Sequence, residues 1–162
     1  MNTVPDAAEI ATRVPHSGTM CLLHALHESS DTHVLCSTTS HRSSSNPLRS
    51  ASGLLSCNAI EYAAQAMALH GAMTAAADAP PQGGRLASVR GVKLHTQRLD
   101  TIEGRLFVHA ERLTGDAGQA MYQFALRDER QNTLAQGRAT VLLNSLQDSR
   151  GRPSAPQQEN AK

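Results

Sequence analysis

Residues 56–77 read SCNAIEYAAQAMALHGAMTAAA. How this stretch is read decides the fold. Its alanines, leucine and methionines have high intrinsic helix propensity. Ile60, Ala63, Ala64, Met67, Ala68 and Gly71 recur at helical spacing, which predicts one long helix. Small residues on every side predict that protein surrounds it. Between Arg49 and Asp78 the one charged side chain is Glu61. A buried, unpaired carboxylate is costly. Glu61 therefore either faces water at the first turn, where the helix dipole favours it, or serves a cleft. The run is long enough to cross a membrane, but Asn58, Glu61, Gln65 and His70 interrupt it, so no span is expected.

Before the helix, Pro5-Asp6 open a short helix that sends Ala8, Ile10, Ala11 and Val14 to the core. The turn-rich segment Pro15-His16-Ser17-Gly18-Thr19-Met20 follows, presenting an imidazole where a strand begins. Residues 21–40 read as a β-hairpin turning at Ser29-Ser30-Asp31. A serine-rich loop over about 41–55 leads into the helix, positioned either to wrap over it or to serve as a plain connector.

After the helix, DAPPQGG over 78–84 breaks the chain. Four strands are predicted beyond it. One runs from Leu86 past Gly91, a bulge candidate, to Thr96. The next alternates Leu106, Val108 and Ala110 inward, and the third Tyr122, Phe124 and Leu126. The last runs from Thr133 to Leu143. This is an α+β order, a curved antiparallel sheet of about six strands wrapped on one long helix. Such a sheet has an open edge, which predicts a dimer. The domain spans 1–144, and the polar segment 145–162 is expected to be disordered.

The net charge is +1 and the chain holds two Phe, two Tyr and no Trp, which argues against a nucleic-acid partner. Cys21, Cys36 and Cys57 read as reduced thiols of a cytoplasmic protein. His24, His27 and His33 fall on both faces of the hairpin, so no metal site is expected.

Three segments carry a resemblance. Pro15-His16-x-x-x-Met20-x-Leu22-Leu23 resembles the Pro-His motif that leads into the first strand of hotdog-fold 3-hydroxyacyl-[acyl-carrier-protein] dehydratases. Glu61-Tyr62-Ala63-Ala64-Gln65 resembles the central-helix segment carrying their catalytic Glu, and residues 86–94 with Gly104-Arg105-Leu106 resemble the strand pair that follows. The pattern is nearest to the dehydratase-like type of aryl polyene biosynthesis. The catalytic His that the usual dehydratase carries before the helix is missing from residues 46–55.

The resemblance implies a lyase that eliminates water from 3-hydroxyacyl thioesters. The substrate rides on the phosphopantetheine of acyl carrier protein, and no other cofactor is implied. Glu61 is then the acid toward the departing hydroxyl, and His16 or His41 the base. Gln65 would orient Glu61 or touch the substrate, and the helix start at Cys57 and Asn58 would offer a backbone donor to the thioester carbonyl. Arg49, Arg85, Arg90 and Lys93 are candidates for the carrier's phosphate or its acidic surface. In such dimers, homodimeric or paired with another hotdog subunit, the two catalytic groups typically come from different subunits. Two alternatives stand beside this reading: a thioesterase using Glu61, and a non-catalytic partner of another hotdog dehydratase.

Overall fold

The computed structural model describes residues 6–14, 16–76, 78 and 82–145. The predicted tail falls outside them beyond Ser145, as does Pro15 of the Pro-His segment.

Asp6 caps the first helix, α1 (Ala7–Arg13), by accepting a hydrogen bond from Glu9 N, and Ile10 is its buried residue. The strands β1 (Ala25–Ser29) and β2 (His33–Thr38) follow, then the central helix α2 (Ala59–Thr74). Four further strands complete the fold: β3 (Gln82–Leu94), β4 (Leu106–Gly115), β5 (Gln119–Arg127) and β6 (Thr133–Ser145). They form one six-stranded sheet in the order β1-β2-β4-β5-β6-β3, with every pairing antiparallel. Helix α2 packs across β2, β4 and β5. The inward positions Leu106, Val108 and Ala110, with Tyr122, Phe124 and Leu126, are buried as the alternation predicts.

Three expectations are corrected. The helix is shorter than 56–77, because Ser56–Asn58 form a tighter 3-10 turn before it. Nor does protein surround it on every side. Ala59, Tyr62, Ala63, Gln65, Ala66, Met67, Leu69 and His70 are buried, whereas Ala64 and Ala68 are half-buried and Gly71 is exposed. Tyr62 and Leu69 carry far more apolar area than the alanines, and they set which face turns inward. Second, residues 21–24 are not strand. The backbone of Leu22 bonds to side chains of α2 and of the β2 end instead of joining a ladder. Third, β3 does not pair with β4. The chain crosses over at 95–105, so β3 pairs with β6 and becomes an edge of the sheet.

The expected bulge is present at Gly91, whose φ is +60°. Arg90 faces Arg138 and Lys93 faces Gln136, so three steps on β3 match two on β6.

Candidate active site

Glu61 sits in the first turn of α2, and His16 lies on the loop that precedes β1. Their side chains meet, with His16 Nε2 3.1 Å from Glu61 Oε1, and both stay partly accessible at 28% and 33% exposure. Among the described residues His16 Nδ1 is buried without a partner, so Nε2, the nitrogen beside Glu61, is the one left to react.

One residue arranges the meeting. Gln65 is fully buried one turn along α2. Its Nε2 donates to Met20 O at 2.7 Å and to Glu61 Oε1 at 3.2 Å, while its Oε1 accepts from Leu22 N at 2.9 Å. Both amide donors and the carbonyl are thereby used. The bonds to Met20 and Leu22 strap the 16–22 loop over the helix, which is how His16 reaches the Glu61 of its own chain. The resemblance implied catalytic groups from two subunits; His16 and Glu61 already meet within one chain.

A second layer holds the strap. Leu22 O accepts from Thr38 Oγ1 and from Ser40 Oγ, the latter at 2.7 Å. Ser40 Oγ lies 3.0 Å from the Tyr62 hydroxyl, and Asn46 Nδ2 donates to that hydroxyl at 3.0 Å and to Ser40 O at 2.9 Å. Burial pushes the Tyr62 phenol up, keeping it a neutral donor. Thr38, Ser40, Asn46 and Tyr62 have no chemical motif to announce them. The available signal is a Tyr beside Glu61 and hydroxyl residues closing an otherwise apolar strand.

The loop before the helix is fastened separately. The Asp100 carboxylate, 5% exposed, takes both nitrogens of an Arg98 fork at 3.0 and 2.6 Å and lies 3.3 Å from Arg49. The Arg98 bond holds the Asp100 carboxyl down at about 2. Gly53, at φ +89°, packs against Arg98, where a Cβ would meet the guanidinium at 2.4 Å. Arg49 is thus committed to an internal pair.

The remaining candidates spread out. His41 is fully buried, and its Nε2 donates to Ile102 O at 3.0 Å, so its polar contact is with the β3–β4 crossover and not with Glu61. Its Nδ1 is buried without a partner, and burial pushes its pKa down. Cys57 is exposed, and Asn58 spends its side-chain amide on Leu55 O at 3.1 Å. The Ser56 amide donates to Gln97 O and the Asn58 amide to Leu55 O, so the Cys57 amide is the better candidate donor to a ligand. Among the described residues no three His, Cys, Asp or Glu side chains gather as metal ligands, and no helix is long and apolar enough to cross a membrane.

A sheet curved over one helix, with Glu61 in that helix's first turn, defines a hotdog-fold protein. The sequence model of the ApeP-like family, described as ApeP dehydratase, matches residues 8–150, and the chain belongs to this family. Its fold is similar to the dehydratase heterocomplex ApeI:P from Xenorhabdus doucetiae, at 22% identity and TM-score 0.70 over 85% of this chain and 91% of that one. It is also similar to a mutant thioesterase of Pseudomonas aeruginosa, at 13% identity and TM-score 0.62 over 90% and 98% of the two chains. A thioesterase of Haemophilus influenzae follows at 9% identity and TM-score 0.58, covering 78% and 82%. No curated protein matches the chain.

Proposed function

We propose that this protein dehydrates 3-hydroxyacyl groups carried on acyl carrier protein, with Glu61 as the acid and His16 as the base. The observation that carries this reading is the 3.1 Å contact between the two side chains. His16 takes the proton from C2 of the thioester. Glu61 gives its proton to the C3 hydroxyl, the C3–O bond breaks, and water leaves as the C2–C3 double bond forms. Imidazolium and carboxylate then stand next to each other. A direct proton transfer from His16 to Glu61 restores the starting state once product departs. Oε1 of Glu61 accepts from Gln65, which leaves Oε2 to face the hydroxyl. The Cys57 amide at the helix start is the proposed donor to the thioester carbonyl.

The family membership supports dehydration. The likeness to a dehydratase heterocomplex supports a hotdog subunit, identical or different, beside this chain. The edge strand β3, with Leu86 and Leu94 over 40% exposed, suits such pairing.

The deciding experiment is mass spectrometry of 3-hydroxyacyl carrier protein incubated with the protein, alone and with a second hotdog chain. Loss of one water, abolished by Glu61→Gln and by His16→Ala but not by His41→Ala, is the expected result. Bare carrier and free acid would replace this reading with the thioesterase. Untouched substrate that reacts only beside a second chain, and equally well with Glu61→Gln, would make this protein a non-catalytic partner.

A further inference from the structure

A cleft of about 970 Å³ opens between α1, the 18–24 segment, the turn after β2 and residues 104–105. Neither Glu61 nor His16 lines it. One wall is the small-residue side of α1, where Ala7 and Ala8 are exposed. The other walls carry the cationic or basic groups of His24, Arg42 and Arg105, with serine and threonine hydroxyls between them. Among the described residues of the lining there is no Asp or Glu. The chain holds 14 of these against 15 Lys and Arg, so the cleft is a local excess of positive charge.

Arg105 is spent on Glu129 and on the Phe107 ring. Three other groups keep a donor to spare. Arg42 is exposed and, among the described residues, makes no ion pair within 4 Å. Thr39 N donates to His24 Nδ1 at 3.3 Å, so the neutral ring carries its proton on Nε2. Partial burial lowers the pKa of that ring and keeps it neutral. The hydroxyls of Ser43 and Ser45 lie 2.8 Å apart, which uses one of their two protons and leaves the other.

We propose that this cleft binds a small organic phosphate ester. Arg42, His24 Nε2 and the Ser43–Ser45 pair are the donors to its phosphate, and the alanines of α1 rest against its carbon skeleton. Phosphate suits this set better than carboxylate, because a guanidinium, an imidazole N–H and a hydroxyl together supply a proton to each of three terminal oxygens. The volume lies at the upper end of the roughly 300–1,000 Å³ that small-molecule sites occupy, so a whole ligand fits and not only its phosphate. Among the described residues the lining has no Phe, Tyr or Trp to stack a base, which favours a polyol or sugar phosphate over a nucleotide. Thr19 and Cys21 of the lining belong to the strap between His16 and Leu22, so an occupant rests against the loop that places the histidine.

The test is chemical protection in the whole chain. Cys21 lines the cleft and is half-buried, Cys57 is exposed outside it, and Cys36 is buried in the core. Millimolar glycerol 3-phosphate should slow iodoacetamide alkylation of Cys21 at least fivefold, read by mass spectrometry, and leave Cys57 unchanged. Glycerol should protect neither. Arg42→Gln should raise the concentration for half-protection at least tenfold, and His24→Ala should raise it as well, with Cys36 still unreactive as the sign that the fold holds. Arg138→Gln, an equal charge loss on β6, should raise it less than twofold. No protection, equal protection by glycerol, or equal losses from Arg42→Gln and Arg138→Gln would each overturn the inference. Stronger protection by 4′-phosphopantothenate, the thiol-free end of the carrier's arm, would also overturn it, by giving the cleft to the carried substrate. No turnover enters this readout, so it stands apart from the proposed reaction.

Discussion

Gln65 holds Glu61 from one helical turn away, its amide nitrogen 3.2 Å from the carboxylate oxygen that His16 also touches. The remaining capacity of that amide goes to Met20 and Leu22. A helix residue and a loop residue are thereby placed by one side chain.

Gln65→Leu should therefore damage both activity and stability. It leaves the Leu22 N–H and the Met20 carbonyl buried without partners, a cost of about 2–3 kcal/mol. A displacement of about 1 Å at the reacting groups lowers turnover roughly 100-fold. The loss should fall on kcat more than on KM, because Gln65 is fully buried. Thermal unfolding and steady-state kinetics check it. A loss confined to KM would mean that Gln65 contacts substrate.

Glu61→Gln and His16→Ala should each lower turnover roughly 100- to 10,000-fold. Neither should cost much stability, since both side chains are partly exposed. His41→Ala should behave in the opposite way. It empties a fully buried site and removes the bond to Ile102, costing about 2–3 kcal/mol with turnover of the folded fraction retained. Denaturant titration beside single-turnover rates separates the two patterns.

Acid should destabilise the fold in two windows. Burial is the leading cause that lowers the pKa values of His41 and His70 from 6.5. The unfolded chain then binds more protons than the folded one as pH falls below about 6.5, so stability drops from there downward. Asp100 acts lower, its contribution fading between 3.8 and about 2. Unfolding free energies at pH 5, 6, 7 and 8 should rise and then level off. His70→Asn, replacing a ring bound to Tyr122 and to Ser30 O, should flatten the acid side.

Two glycines with positive φ should respond unequally to alanine. Gly91 has open space where a Cβ would go, so Gly91→Ala should cost only the conformational term, roughly 1–2 kcal/mol. Gly53→Ala meets the same term and also displaces the Arg98 guanidinium from Asp100. It should cost more than Gly91→Ala by chemical denaturation. Arg98→Ala placed behind Gly53→Ala should then add little further loss.

Much of this architecture is legible in the sequence, because alternation and helical spacing are local signals. The inward triplets of β4 and β5 and the bulge at Gly91 follow directly, whereas the break expected over 78–84 ends sooner, since β3 already begins at Gln82. Which helix face turns inward was not legible, because alanines recur on all sides and spacing alone could not rank them against Tyr62 and Leu69. The edge position of β3 was hidden because strand order depends on a crossover, which leaves no periodic mark. At the site, Glu61, Gln65 and His16 stand in recognisable motifs. Thr38, Ser40, Asn46 and Tyr62 join through bonds between residues up to 22 positions apart, with no spacing to reveal them.

The Asp100 clasp also decides which of the loops beside α2 is held on both flanks. Residues 49–55 are cinched by Arg49, Arg98 and the Leu55–Arg98 bridge. On the opposite flank, Ser17, Gly18 and Thr19 are exposed, and Gly18 has nothing within 4 Å of its Cβ position. The histidine therefore sits at the end of the loop that stays open to solvent at 17–19 and is fastened only from Met20 onward.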